Sequence, residues 1–172
     1  MTSLFRYSVI AAAICSAVVV VAQSNPAPTL TLKLASQAAA AGKPLQATLT
    51  VTFAEGLHGY QNPPTDPTLI PVVVKLADKT FSLVSVKYPK GTPAKVGGED
   101  KPINVYQGTI QIPITLKAPA KLGKTTLKVS FDYQQCNETA CFPPGSVSAE
   151  ASVVVLKTLP PAKPTKAIKG KA

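Results

Sequence analysis

The stretch "LQATLTVTF", residues 45–53, alternates strictly between apolar and polar side chains. Five apolar side chains, from Leu45 to Phe53, fall on one face, and glutamine and threonine fall on the other. Because successive side chains of a β-strand point to opposite faces, this period of two predicts a strand with one buried face. Such a strand needs a second layer of structure to cover its apolar face.

Six further stretches resemble strands, and Gly/Pro-rich turns separate them without any helical pattern. They are residues 29–34, 70–76, 81–88, 110–116, 126–133 and 147–155. The strands at 70–76 and 81–88 are joined by a link of hairpin length. Seven short strands of this kind predict an all-β fold, an immunoglobulin-like antiparallel β-sandwich of about seven strands.

The beginning of the chain predicts export. Residues 1–24 combine one positive charge, a short apolar run and a small-residue cleavage pattern, as in a secretory signal peptide. Cys15 is expected to leave with this signal. We therefore expect a periplasmic or exported protein, without stable membrane insertion after signal removal, whose domain occupies residues 25–157.

The end of the chain, residues 158–172, is rich in proline and lysine and lacks apolar periodicity, so a disordered tail is predicted. The formal net charge is +10, and much of this charge is carried by lysines of the tail region. The single arginine, Arg6, lies in the signal. Because arginine is the usual residue for bidentate base and phosphate contacts, no nucleic-acid partner is expected.

The inventory of reactive side chains excludes most catalytic schemes. His58 is the single histidine, and the sequence contains no nucleophile-elbow motif, glycine-rich phosphate loop or paired-carboxylate motif. We therefore expect no cofactor, and an ordinary hydrogen-bonding role for His58.

Two cysteines, Cys136 and Cys141, lie in the turn "DYQQCNETACFPPGS", residues 132–146. Export permits a disulfide, and an even pair favours a bond between the two. They are too close in sequence to form the bridge between sheets of an immunoglobulin domain. Together with His58 they supply three copper or zinc ligands, but no fourth ligand is evident, so no metal site is expected.

The spacing of this pair leaves its role open between a structural disulfide and a redox-active one. In the chain-entropy model so short a loop contributes only about 2 kcal/mol, which a sandwich of this size does not require. The long irregular stretches at 55–68 and 89–102 are candidates to lie beside the cysteine turn. The alternative function is a non-enzymatic immunoglobulin-like binding module with a structural disulfide, docking a partner through these loops or the tail.

Three segments in order are similar to a known family. Residues 56–76 contain "NPP" and "LIP", residues 105–114 read "VYQGTIQIPI", and residues 131–144 read "FDYQQCNETACFPP". Together they resemble the N-terminal periplasmic domain of the thiol:disulfide interchange protein DsbD, in the version found in stand-alone proteins. The resemblance covers roughly residues 29–156.

The resemblance implies a periplasmic thiol–disulfide exchange module in which Cys136 and Cys141 form the redox pair. Its partners would be a separate transmembrane thiol reductant and periplasmic thioredoxin-like or disulfide-containing proteins. The family shields its pair with a cap loop and tyrosines, so Tyr60, His58, Phe142 and Glu99 are the expected shielding or neighbouring residues. The matching loop, residues 97–102, contains no aromatic side chain. Which cysteine attacks is left open, and we favour a thiol–disulfide oxidoreductase over the binding module.

Overall fold

A computed structural model describes residues 26–96 and 101–159 of the protein. Within these ranges the chain forms twelve β-strands and no helix. The strands are β1 (Thr29–Leu34), β2 (Ala38–Ala40), β3 (Pro44–Thr52), β4 (His58–Tyr60), β5 (Val73–Leu76), β6 (Ser82–Val86), β7 (Thr92–Ala94), β8 (Ile103–Gln107), β9 (Thr109–Lys117), β10 (Gly123–Tyr133), β11 (Gln135–Cys136) and β12 (Gly145–Leu156).

Two four-stranded sheets form the sandwich. The first has the order β1-β3-β9-β6 and the second the order β2-β12-β10-β5. All of their strand pairs are antiparallel except β2 with β12, which run parallel. The predicted all-β sandwich is therefore confirmed.

The core lies between these sheets and follows from the alternation of their strands. In β3 the residues Leu49 and Val51 are fully buried, and Thr50 between them is only partly buried. They pack in one cluster with Leu127 and Phe131 from the opposite sheet. Burial of each large apolar side chain stabilises the fold by about 1.5–3 kcal/mol, so this shared cluster holds the two layers together.

A third, smaller sheet has the order β11-β4-β8-β7 and a small apolar cluster of its own. Its strand β4 packs directly onto the main core at Gly59. A Cβ atom on this glycine would lie 3.1 Å from the Phe53 ring and 3.1 Å from Val72. The absence of a side chain at Gly59 is therefore what permits the third sheet to approach the sandwich so closely.

All seven predicted strands are present, but the sequence did not reveal the third sheet. The stretches 55–68 and 89–102, predicted as irregular, contain β4 and β7. The hairpin suggested by the short link after β5 is wrong, because β5 pairs with β10 and β6 pairs with β9 in different sheets. That link instead carries the chain from one layer of the sandwich to the other.

The predicted signal, residues 1–24, lies outside the described residues, as does the predicted tail except for Thr158 and Leu159. The last strand, β12, ends at Leu156, close to the predicted end of the domain. Across residues 26–96 and 101–159, no helix is long and apolar enough to cross a membrane.

Replacing Phe131 by alanine tests the shared core. The side chain is fully buried and lies edge-on to Phe53, with ring centroids 6.4 Å apart. We expect Phe131→Ala to lower the free energy of unfolding by about 3–5 kcal/mol, because it leaves a cavity that the sheets cannot fill. Urea denaturation of the mature protein measures this loss.

The matched control is Val84→Ala in the edge strand β6. Val84 is 61% exposed and is skipped by the pairing register between β6 and β9. Its removal is expected to change stability by no more than about 0.5 kcal/mol. Equal losses in the two variants would contradict the assignment of the core.

Candidate functional site

The two cysteines face each other across the turn between β10 and β12. Cys136 ends β11, and Cys141 forms an isolated antiparallel bridge with it. Their sulfur atoms form a disulfide, and their Cα atoms lie 4.0 Å apart. The bond that cysteine count and export favoured is therefore present.

Hydrogen bonds that do not involve the sulfurs also close this turn. The amide of Phe142 donates to the carbonyl of Gln135 at 2.9 Å, and the amide of Asn137 donates to the carbonyl of Ala140 at 2.9 Å. The side-chain oxygen of Asn137 accepts from the amides of Thr139 and Ala140, at 2.9 and 2.8 Å. An asparagine whose side chain accepts from the backbone amides two and three residues ahead fixes a tight turn. Cys136 and Cys141, which flank this turn, are therefore held close together.

The two sulfur-bearing residues differ in their access to solvent. Cys136 is only 1% exposed and belongs to the small apolar cluster of the third sheet, whereas Cys141 is exposed. A cleft of about 120 Å³ opens over the bond. It is lined by Tyr60, Val96, Cys136, Asn137, Thr139, Ala140 and Cys141. A reagent that approaches the disulfide therefore meets Cys141 first.

Tyr60, at the end of β4, places one hydroxyl against both sulfurs. Its oxygen lies 3.5 Å from Sγ of Cys141 and 3.6 Å from Sγ of Cys136. Since disulfide sulfurs carry no proton, the O–H of Tyr60 is the donor in this contact. Tyr60 is only 6% exposed, so this donor approaches the bond from the protein interior.

His58, at the start of β4, is the direct cross-strand partner of Cys136 in the pairing of β4 with β11. It is 7% exposed, and burial lowers the pKa of its imidazole below the ordinary value of 6.5. Its Nε2 atom is buried without a hydrogen-bond partner. The expected ordinary hydrogen-bonding role is therefore not found at Nε2.

Of the two remaining expected neighbours, Phe142 and Glu99, the structure describes only Phe142. Phe142 follows Cys141 and is half-buried, and its carbonyl accepts from Nε2 of Gln134 at 3.1 Å. Glu99 lies outside the described residues, together with most of the loop at 97–102. Shielding by Phe142 and by Glu99 remains a prediction.

Two residues of the site were missed by sequence reasoning. Asn137 organises the turn, and an asparagine two residues before a threonine in a loop is a signal that points to this role. Gln135 is fully buried, and its Nε2 donates to the carbonyl of Pro26 at 2.9 Å. No local pattern indicates that contact, because Pro26 is distant in sequence.

In the described part of the chain, no three His, Cys, Asp or Glu side chains cluster as metal ligands do.

A family model for the N-terminal part of the thiol:disulfide interchange protein DsbD matches residues 27–152. The chain belongs to this family. The match spans the sandwich, the third sheet and the cysteine turn, so membership covers the whole site and not the fold alone. It confirms the family resemblance of the three sequence segments.

Three solved structures are similar to this chain. The N-terminal periplasmic domain of ScsB from Proteus mirabilis has a TM-score of 0.53 and 14% identity, over 76% of this chain and 47% of that one. The reduced N-terminal domain of DsbD from Neisseria meningitidis has a TM-score of 0.47 and 21% identity, over 73% and 86%. A family 123 glycoside hydrolase from Clostridium perfringens reaches 0.36 at 14% identity, over 76% and 28%. A search of curated proteins found no significant match.

These likenesses carry different weight. At such low identities a structural match bears on the fold alone, and the ScsB domain supports the sandwich. The chain spans less than half of that ScsB chain. Family membership therefore rests on the model match, and this family's domains act in thiol–disulfide exchange.

Tyr60→Phe tests the contact between the hydroxyl and the sulfurs. We expect the thiol pKa of Cys141 to rise in the reduced mature protein, because a hydrogen bond to a thiolate favours the charged form. Alkylation of Cys141 by iodoacetamide at pH 7, in a Cys136→Ala background, is expected to slow about tenfold. The pH dependence of the alkylation rate measures the shift.

Tyr133→Phe is the matched control, because the Tyr133 hydroxyl lies against Gly145 and not against a sulfur. It is expected to leave the alkylation rate of Cys141 unchanged. If both tyrosine variants alkylate at the rate of the parent protein, the hydroxyl of Tyr60 has no influence on the thiolate.

Proposed function

We propose that this protein is a periplasmic thiol–disulfide exchange module that relays electrons through Cys136 and Cys141. The observation that carries the proposal is the unequal burial of one disulfide: Cys141 is exposed, and Cys136 is enclosed by the third sheet. Membership of the DsbD N-terminal family supports it independently. The residues of the module are 25–157, following the signal at 1–24 and preceding the tail at 158–172.

Cys141, the exposed residue of the pair, makes and breaks the bonds with partners. In the reduced module, the thiolate of Cys141 attacks a disulfide of an exported partner and forms a mixed disulfide with it. Cys136 then attacks Sγ of Cys141, the partner leaves as a dithiol, and the intramolecular disulfide closes. Two electrons pass from the pair to the partner in this sequence.

The hydrogen-bonded turn supports repeated opening and closing. The hydrogen bonds of Asn137 and Phe142 close the turn without using the sulfurs, which supports its persistence when the disulfide opens. Holding two reacting groups side by side gives a high effective concentration, so Cys136 is placed to displace a bound partner quickly. Opening the disulfide costs about 2 kcal/mol of stability or less in the chain-entropy model, which leaves the sandwich folded.

The electron donor of the relay is a separate transmembrane thiol reductant, and the recipients are periplasmic thioredoxin-like or disulfide-containing proteins. Donor and recipient meet the same exposed sulfur, because burial restricts access to Cys136 in both directions. The ScsB domain that shares the fold is itself described as periplasmic, in agreement with the exported location predicted from residues 1–24.

Single-cysteine variants test the different roles proposed for Cys141 and Cys136. In cells, Cys136→Ala is expected to accumulate mixed disulfides between Cys141 and its partners, because the residue that would release them is missing. Cys141→Ala is expected to accumulate none, because the remaining thiol is buried. Non-reducing electrophoresis of acid-quenched periplasm, followed by mass spectrometry of the cross-linked bands, measures the difference.

The alternative, a binding module with a structural disulfide, makes the opposite prediction. It expects no trapped partner in either variant and a reduction potential below about −300 mV, as in structural disulfides of exported proteins. A potential within the range of known exchange proteins, together with trapping through Cys141 alone, would exclude it.

A further inference from the structure

One step of the proposed relay, the attack on the mixed disulfide, depends on the buried residue Cys136. When Cys136 attacks the mixed disulfide, it must first lose its proton, since the thiolate is the nucleophile. Cys136 is 1% exposed in an apolar cluster, and such surroundings raise the pKa of a thiol. Little of Cys136 is open to solvent, and a partner docked on Cys141 would cover the cleft that both residues line, so a protein side chain is the better-placed proton acceptor.

His58 stands beside Cys136 with an unused basic nitrogen. The two residues are paired across β4 and β11, which places their side chains on one face of the sheet with Cβ atoms about 5 Å apart. Nε2 of His58 is buried without a hydrogen-bond partner, although a buried polar atom normally has one. Tyr60 also contacts Cys136, but a phenol is protonated at neutral pH and acts there as a donor.

His58 also lines a second cleft, of about 540 Å³, that opens to solvent beside the cysteine turn. Val96 lines both this cleft and the one over the disulfide. The imidazole therefore lies beside a cleft other than the one over the disulfide, where a partner would dock on Cys141.

We propose that His58 is the proton acceptor for Cys136 when Cys136 attacks the mixed disulfide on Cys141. This inference rests on the proposed relay function. The proton of Cys136 passes to the imidazole while the electron pair of its sulfur forms the bond to Sγ of Cys141. The bond between Cys141 and the partner sulfur breaks, and that sulfur leaves with the electron pair as a thiolate. The thiolate takes a proton from water, and the imidazolium releases its proton through the cleft.

Burial, and not a neighbouring charge, sets the resting state of the imidazole. Among the described residues, the titratable groups around His58 are Glu55, Lys95 and Glu138 in the lining of its cleft, Cys136 as its strand partner, and Tyr60, whose ring centroid lies 6.1 Å from that of the imidazole. Burial keeps the resting imidazole neutral, which is the form able to accept a proton.

The test follows both sulfurs in one reaction. Reduced mature protein is mixed with dithiobis-nitrobenzoate, an aromatic disulfide that releases a coloured thiolate. The first release reports attack by Cys141, and the second, independent of reagent concentration, reports attack by Cys136. We expect His58→Gln to leave the first phase unchanged and to slow the second about 100-fold at pH 7, the usual range for loss of a general base.

The pH profile separates proton transfer from a structural effect. In the parent protein the second phase is expected to be flat at neutral pH and to fall below a pKa lower than 6.5, where His58 becomes protonated. In His58→Gln it is expected to rise in proportion to hydroxide, because only ionised Cys136 reacts. Imidazole added to His58→Ala is expected to restore part of the second phase through the open cleft, and a merely distorted turn would not respond to it.

Gln107→Ala is the matched control, because Gln107 pairs with His58 on the opposite side of β4 from the cysteines. It is expected to leave both phases unchanged. A His58→Gln protein with the second-phase rate and pH profile of the parent would overturn the role of His58 alone. A parent protein that releases no second thiolate would overturn the relay itself, so the two failures are distinguishable.

Discussion

The strand β4 is the constraint on which the site depends. Its three residues meet three different demands: Gly59 permits close packing on the core, Tyr60 reaches both sulfurs, and His58 lies beside Cys136. Because β4 pairs with β8 on one side and with β11 on the other, it anchors the cysteine turn to the sandwich. A shift of this strand would displace all of these side chains at once.

The disulfide lies in a hydrogen-bonded turn, and its two cysteines differ in burial. Hydrogen bonds of Asn137 and Phe142 also close the turn, so the disulfide is not its only cross-link. Burial of Cys136 and exposure of Cys141 are the basis of the different roles that we propose for them. A purely structural cross-link of this length would contribute about 2 kcal/mol at most and would need no such asymmetry.

The sandwich was predictable because its strands are long enough to show a period of two. Strands such as β3 and β9 repeat the alternation over nine residues each, and their apolar faces form the shared core. The strands β4 and β7 have three residues each, and β11 has two, which is too short for any periodicity to be visible. Their pairing is decided by contacts between segments distant in sequence.

The sequence by itself determined an all-β domain with a cysteine pair that could close across one turn, because alternation and spacing are local properties. The sequence left open whether Cys136 and Cys141 differ in solvent exposure and which residues lie beside them. Only the tertiary structure decided these points, by folding residues 58–60 against residues 135–136 and enclosing Cys136. The physical reason is that burial and proximity arise from packing between distant segments, which neither composition nor periodicity encodes.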